Sequence, residues 1–235
     1  MKNRIFTLFA IITAALVAYG LYQALVAAPT ERTMGDIQRI FYIHVPSAWV
    51  SFLCFFVNFV ASIFYLARRN AIADAWAISS AEVGVLFCTV VLLTGPLWGR
   101  YAWGIWWSWG DVRLTSTLVL WLIYVSYLML RRFAVGGQAA KLSAVLSIFG
   151  FVDVPLVYLS IRFFRTQHPK PVIAGDPGSG LAPPILYAFL INLLSFTCYG
   201  LLLLLVRYRL ERLTRAVEER QAEQALELET AGVAR

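Results

Sequence analysis

The chain contains only two histidines, His44 and His168, which lie far apart in the sequence. Between them, residues 98–114 read WGRYAWGIWWSWGDVRL and hold five of the eight tryptophans. Neutral imidazole is a good ligand for iron, and iron in a porphyrin accepts one axial ligand on each face. Indole rings can cover a flat apolar macrocycle while their N–H groups remain available for hydrogen bonds. Two histidines and a wall of tryptophans therefore predict a haem site.

Basic residues near the tryptophans could pair with the anionic propionates of a haem. The candidates are Arg100, Arg113, Arg162, Arg165 and Lys170. Each feature alone has a simpler explanation. A tryptophan at a membrane surface usually belongs to an aromatic belt, and a loop arginine often extends towards the interface. A single histidine at a helix end is often only a hydrogen-bonded polar residue. Only the combination favours haem.

The rest of the chain must position these residues within a membrane. Hydrophobic residues make up 60% of the sequence and charged residues 14%, whereas a soluble domain has about 25% charged residues. Because a membrane-spanning helix needs roughly 20 apolar residues, we predict an all-α integral membrane protein with six transmembrane helices. The predicted spans are 5–27, 41–66, 80–98, 114–130, 141–161 and 183–206. The net charge of +7 then reflects basic cytoplasmic loops, and we expect no nucleic-acid partner.

The distribution of Lys and Arg predicts the orientation. Thirteen of the 20 lie at the N-terminus, in the loops 67–79 and 131–141, or in the tail. Both termini should therefore be cytoplasmic, with external loops at 28–40, 98–113 and 162–182. This arrangement puts both histidines and the tryptophan-rich loop on the same external side. We divide the chain into a membrane domain, 1–206, and a cytoplasmic helical tail, 207–235, whose default is a solvated helix.

Two segments have alternative interpretations. The first apolar run follows Lys2 and Arg4 and could be a signal peptide, but it is longer than the usual 7–15-residue apolar core, so we predict an anchor. Asp153 falls inside the fifth span, two residues before Pro155. It could line a polar region beneath the haem site or bond backbone groups freed by the proline. Glu82 is expected to cap the third helix or to contact a partner.

The cysteines and the missing motifs limit the chemistry. Cys54, Cys88 and Cys198 all lie in apolar spans, and the sequence has no C-x-x-C or C-x-x-C-H motif. They are expected to be buried and chemically inert, so haem would be held without a covalent bond. No G-x-x-x-x-G-K-[ST] phosphate loop is present, so any ATP hydrolysis would come from a partner.

Three segments resemble the CcmC family of haem-handling membrane proteins from system I cytochrome c maturation. They are YIHVPSAW at 42–49, WGIWWSWGDVRLTS at 103–116 and DVPLVYLSIRFFRTQHP at 153–169. The resemblance implies that His44 and His168 are axial haem ligands. It also implies that the tryptophan-rich signature falls on Trp103, Gly104, Trp106, Trp107, Trp109 and Asp111. The family pattern W-G-x-W-W-x-W-D is interrupted here by Gly110, which separates Trp109 from Asp111.

The resemblance implies a delivery protein rather than an enzyme. It would bind haem b at the periplasmic face of the bacterial inner membrane and present it to the haem chaperone CcmE. Its implied partners are CcmD and the transporter subunits CcmA and CcmB, together with membrane lipids. Two other classes remain open, a haem b electron-transfer protein and a small-molecule permease anchored by an aromatic belt. The related single-chain haem lyase of system II would need a longer chain.

Overall fold

The computed structural model describes residues 2–133, 138–164, 166, 168 and 180–233. Its regular structure consists of helices, numbered α1 to α7 in chain order. They are α1 (Lys2–Tyr22), α2 (Phe41–Arg68), α3 (Ala71–Trp103), α4 (Val112–Phe133), α5 (Gln138–Phe151), α6 (Asp153–Phe163) and α7 (Pro183–Val233). A π-helical turn, Gln23–Ala27, extends α1, and a 3₁₀ turn, Asp36–Ile40, leads into α2.

Six segments are long and apolar enough to cross a membrane, which confirms the predicted all-α architecture with six spans. They are Arg4–Ala27, Asp36–Arg68, Ala71–Trp103, Val112–Phe133, Gln138–Phe163 and Pro183–Glu229. The fifth consists of α5 and α6, which meet at Val152. Asp153 begins α6 at this break. Pro155, two residues later, lies in the first turn of α6, where backbone N–H groups have no acceptor within the helix, so its missing N–H costs the helix no bond.

The predicted start of the third span, residue 80, is wrong. The helix begins at Ala71, and only Arg69 and Asn70 separate it from α2. Arg69 adopts the left-handed conformation that ends α2, and the side chain of Asn70 caps α3 by accepting from the Ile72 N–H. The sequence pattern treated Asp74 as a helix break. The structure instead buries Asp74 against two arginines, so its charge does not end the apolar helix.

Helix α2 is the centre of the bundle, and it packs against α3, α5 and α7. The Phe55 ring stacks on the Tyr124 ring with 3.7 Å between centroids. Gly84 of α3 faces the same phenylalanine, and a Cβ there would lie 2.5 Å from its ring, so only glycine permits this approach. Asn58 donates to the backbone oxygen of Ala77 at 2.6 Å. Small residues and buried polar contacts of this kind join helices in a membrane.

Helix α1 packs against the membrane part of α7 through similar contacts. Asn192 donates to the Gly20 carbonyl at 2.9 Å, and the Ser195 Oγ lies 2.9 Å from the Leu16 carbonyl oxygen and 2.7 Å from that of Ile191 in α7 itself. Both side chains are fully buried. Because donors inside the membrane need protein acceptors, the Asn192 bond helps to fix the register of α1 on α7.

The arginine end of the bundle, defined by Asp74, Arg131, Arg215, Glu82 and Arg207, carries a network of ion pairs. Arg131 binds Asp74 through two hydrogen bonds of 2.6 and 2.7 Å, and Arg215 binds the same carboxylate at 2.8 Å. Arg207 of α7 donates to Glu82 at 2.8 Å. Glu82 lies well inside α3, so its expected role as a helix cap is wrong. Together these pairs attach the start of the tail to α3 and α4.

Candidate functional site

A cavity opens at the opposite end of the bundle, beside the loop between α3 and α4. We call this the tryptophan end. The walls come mainly from α2, α3, α4 and the loop between α3 and α4. The lining includes His44, His168, Trp98, Trp103, Trp106, Trp107 and Arg113.

The two histidines meet at this cavity. His44 is the fourth residue of α2, and its ring centroid lies 6.3 Å from that of His168, with 33° between the ring planes. Trp98 of α3 places the edge of its indole against the His168 ring, 6.3 Å between centroids. The fold therefore brings together the only two imidazoles of the chain.

The loop between α3 and α4 is shaped by its two ends. At the first, Gly104 has a φ of +78° and its N–H donates to the Arg100 carbonyl, which ends α3 directly after Trp103. This left-handed conformation suits glycine, which has no Cβ. Gly104 is not among the cavity-lining residues. It contributes by turning the chain, so that Trp106 and Trp107 return to the cavity.

At the second end, Asp111 organises the loop. Its Oδ1 accepts hydrogen bonds from the backbone N–H groups of Arg113 and Leu114, at 3.0 and 3.2 Å, which is the N-cap pattern for α4. Its Oδ2 accepts from the Thr166 hydroxyl at 2.6 Å, and that hydroxyl oxygen accepts from the His168 backbone N–H. Asp111 is 5% exposed and does not line the cavity. It connects the tryptophan-rich loop to the segment that carries the second histidine.

The tryptophans of the predicted signature have different environments. Trp103, Trp106 and Trp107 line the cavity. Trp109 is 74% exposed and is not part of the lining, although its ring meets that of Trp107 edge-on at 5.7 Å. The sequence signature therefore contains residues of the cavity wall and one residue at the rim.

Three buried N–H groups at the cavity have no hydrogen-bond acceptor among the described residues. They are Trp98 Nε1, Trp107 Nε1 and Arg113 Nη1. A buried donor without a partner costs about 1–3 kcal/mol, and more when it is charged. These groups would be satisfied by a ligand that brings acceptor oxygens, especially carboxylates. The arrangement therefore fits a flat, largely apolar ligand with an acidic edge.

The other two basic candidates that the structure describes do not line the cavity. Arg100 is exposed and donates to the Gly104 carbonyl, and Arg162 is also exposed. Arg165 and Lys170 lie outside the described residues. Of the three described candidates, Arg113 is the one in the cavity wall.

Two other sequence hypotheses can be located. Cys54 and Cys88 are buried, as expected, and Cys88 lies in the cavity wall, while Cys198 is half-buried. Asp153 is not among the lining residues, and its Oδ2 is buried without a hydrogen-bond partner in the described part of the chain. The Asp153 carboxylate therefore does not form part of the cavity lining.

Sequence reasoning missed two residues close to the site. Trp98 belongs to the tryptophan-rich stretch, but the sequence does not assign it to the site. It falls at the end of a predicted span, where tryptophans of an interfacial aromatic belt are common. Thr94 lies one turn earlier in α3 and contacts His44. A threonine inside an apolar helix gives no signal in the sequence, and only the packing of α3 on α2 reveals it.

The fold and the site together define a multi-pass, all-helical membrane protein with a cavity lined by histidine and tryptophan at one end of its bundle. A sequence model of the family described as Heme exporter protein C matches residues 1–223. The chain belongs to that family.

Individual relatives match over most of the chain. A protein named Heme exporter protein C from Bradyrhizobium diazoefficiens is 37% identical over 227 residues, covering 96% of this chain and 85% of the relative. A protein of the same name from Haemophilus influenzae is 32% identical over 88% of this chain and 84% of its own length. A putative cytochrome c biosynthesis ccmC-like mitochondrial protein from Marchantia polymorpha is 31% identical over 65% of this chain and 64% of its own length.

Proposed function

We propose that this protein binds haem b without a covalent bond, through His44 and His168, and presents it to a haem chaperone of the CcmE type for cytochrome c maturation. The names of its relatives support the general role in haem handling. The observation that carries the specific proposal is the meeting of the only two histidines over a cavity walled by tryptophan.

The distance between the imidazoles supports ligation of one metal by both. An imidazole nitrogen binds a transition metal at about 2.0–2.1 Å, so two imidazoles on opposite sides of one metal have ring centres roughly 6–6.5 Å apart. The observed separation of the centroids is 6.3 Å.

The other residues of the cavity would have separate tasks. Trp103, Trp106 and Trp107 would cover the apolar macrocycle, and the buried Nη1 of Arg113 would bind a propionate. No cysteine lies in a C-x-x-C-H motif, so release would require only the loss of coordination and contacts. Such reversible binding suits a protein that transfers its cargo to another.

The location and partners that the family resemblance implies belong to the same proposal. We place the protein in the bacterial inner membrane, with both termini in the cytoplasm and the tryptophan end on the periplasmic side. The surplus of Lys and Arg on the other side supports this orientation. CcmD and the transporter subunits CcmA and CcmB would be its partners, and CcmA and CcmB would supply any ATP hydrolysis.

The test is an absorption spectrum of the detergent-purified protein after haem is added, recorded beside His44→Ala, His168→Ala and the double variant. The parent should show a six-coordinate, low-spin haem, and each single variant should lose that signature. The double variant contains no histidine at all, so a low-spin spectrum there would contradict the proposed ligands. Tyr101→Ala serves as a control because Tyr101 is exposed at the same end and does not line the cavity.

A second stage separates the proposed delivery role from the two alternatives. Haem-loaded protein is mixed with a haem-free CcmE-type chaperone, and the haem content of each is measured after separation. Transfer supports delivery. Bound haem that can be oxidised and reduced but is never transferred to the chaperone would indicate an electron-transfer protein. A parent protein that binds no haem would favour the permease hypothesis.

A further inference from the structure

Thr94 contacts the metal-binding candidate His44 from the helix behind it. The threonine Oγ1 lies 2.8 Å from His44 Nδ1. The same oxygen lies 2.6 Å from the carbonyl oxygen of Val90, four residues earlier in α3. Thr94 is not among the residues that line the cavity. Any influence it has on a ligand there must therefore act through His44.

The Thr94 hydroxyl has a single hydrogen, which determines the direction of its bonds with Val90 and His44. A hydroxyl has one hydrogen, and a carbonyl oxygen can only accept. The short contact with the Val90 carbonyl therefore uses the hydroxyl hydrogen of Thr94. Towards His44, the threonine oxygen presents a lone pair, so Nδ1 of the imidazole must be the donor. A neutral imidazole carries only one N–H, and its Nε2 is then unprotonated with a free lone pair.

The packing of α3 on α2 holds this arrangement in place. Gly95, next to Thr94, also faces the ring, and a Cβ there would lie 3.5 Å from His44 Cε1. Helices α2 and α3 are joined by only two residues, Arg69 and Asn70. The hydroxyl and the imidazole therefore belong to one helical hairpin, whose close packing leaves the ring little freedom to turn.

We propose that Thr94 is a positioning residue that holds His44 as the Nδ1–H tautomer, with Nε2 free to bind the metal of the cargo. This inference rests on the proposed function, in which His44 is an axial ligand. Metal-binding histidines commonly donate their second N–H to an oxygen, and loss of that partner typically lowers metal affinity about 10–100-fold.

The tautomer can be measured directly, without haem. Because the chain has two histidines, selective ¹⁵N labelling of histidine gives NMR signals from two rings only, and His168→Ala identifies those of His44. The parent should show a protonated Nδ1 and an unprotonated Nε2. Thr94→Val keeps the shape of the side chain but removes the acceptor, so His44 should become a mixture of tautomers. Thr94→Ser keeps the hydroxyl and should resemble the parent.

Haem titration of the same variants provides the second measurement. Thr94→Val should raise the dissociation constant for haem about 10–100-fold, while Thr94→Ser stays close to the parent. Thr197→Val is the matched control. The Thr197 hydroxyl also bonds a carbonyl four residues earlier in a membrane helix, at 2.6 Å, and it makes no hydrogen bond to a histidine in the described part of the chain. It should bind haem like the parent, which separates the loss of the His44 contact from a general effect on helices.

The outcomes are distinct. A protonated Nε2 in the parent, an unchanged tautomer in Thr94→Val, or unchanged haem affinity in that variant would each overturn the role of Thr94. Failure of the proposed function would appear in a different measurement, the absorption spectrum of His44→Ala, which would then show full low-spin haem binding. A tautomer change in Thr94→Val together with weaker haem binding, both reversed by Thr94→Ser, would establish Thr94 as the residue that prepares His44.

Discussion

The two ends of the helical bundle treat polar groups in opposite ways. At the arginine end, Asp74 is 6% exposed and binds two guanidinium groups, and Glu82 binds a third. At the tryptophan end, the buried donors of Trp98, Trp107 and Arg113 have no acceptor among the described residues. Among the described residues, the arginine end pairs its charges, whereas the tryptophan end leaves buried donors without acceptors.

This difference indicates which end maintains the fold and which end serves a ligand. Paired charges stabilise because removal of one partner leaves the other buried and uncompensated. Unpaired buried donors destabilise the empty protein and are tolerated where binding needs them. Substitutions at the arginine end should therefore affect stability first, and substitutions at the tryptophan end should affect haem binding first.

The largest expected effect comes from Asp74→Ala. It would leave Arg131 and Arg215 without their shared carboxylate, and breaking a buried ion pair in this way costs about 3–5 kcal/mol. The free energy of unfolding, measured in detergent, should fall by that order, while haem bound per folded molecule stays constant. Glu218→Ala, on the exposed part of α7, is the control. Unchanged stability, or lost haem binding in a stable protein, would break the distinction between the two ends.

Arg113→Met should show the reverse behaviour. It removes the buried cation proposed to bind a propionate, and a hydrogen bond to a charged group is worth about 1.5–3 kcal/mol. The dissociation constant for haem should rise about 10–100-fold, while the free energy of unfolding stays the same or increases because a buried Nη1 without an acceptor is gone. Arg100→Met, at an exposed position outside the cavity wall, should bind haem normally. Equal effects of the two substitutions would argue for general electrostatics.

The smallest effect should distinguish two neighbouring tryptophans. Trp107→Phe keeps an aromatic ring in the cavity wall but removes a buried N–H, and one hydrogen bond is worth about 1 kcal/mol, or roughly fivefold in haem affinity. Trp109→Phe should leave affinity unchanged, since Trp109 is exposed at the rim. Both are measured by haem titration. If the two variants behave alike, the tryptophans act as an interfacial belt rather than as a binding wall.

The features set by local composition could be predicted from the sequence. Long apolar runs gave the six spans, and counting Lys and Arg placed His44 and His168 on the same side as the tryptophan-rich loop. The structure adds their meeting at one cavity. Features that depend on contacts between distant residues could not be predicted. The ion pair between Asp74 and Arg131 is one such contact. The sequence alone does not reveal this pair, so a charged Asp74 is interpreted as the end of an apolar helix.

The site shows the same limit. The motif around residues 103–111 identified the loop but not the direction of each side chain, so Trp109 and Asp111 were predicted alongside the residues of the wall. The structure gives Asp111 the task of capping α4 and bonding Thr166. That task depends on a residue 55 positions away. Thr94 could not be predicted for a similar reason, because its partner, His44, lies on another helix.

The two-residue connection between α2 and α3 also has a consequence for the order of synthesis. His44, Thr94 and Trp98 all lie in one hairpin that ends at Trp103, whereas His168 follows 65 residues later (168 − 103). At about 5–20 residues per second, a ribosome needs roughly 3–13 s to add that remainder. One half of the candidate site is therefore synthesised before the second histidine, and every newly made chain passes through a stage in which His44 is its only imidazole.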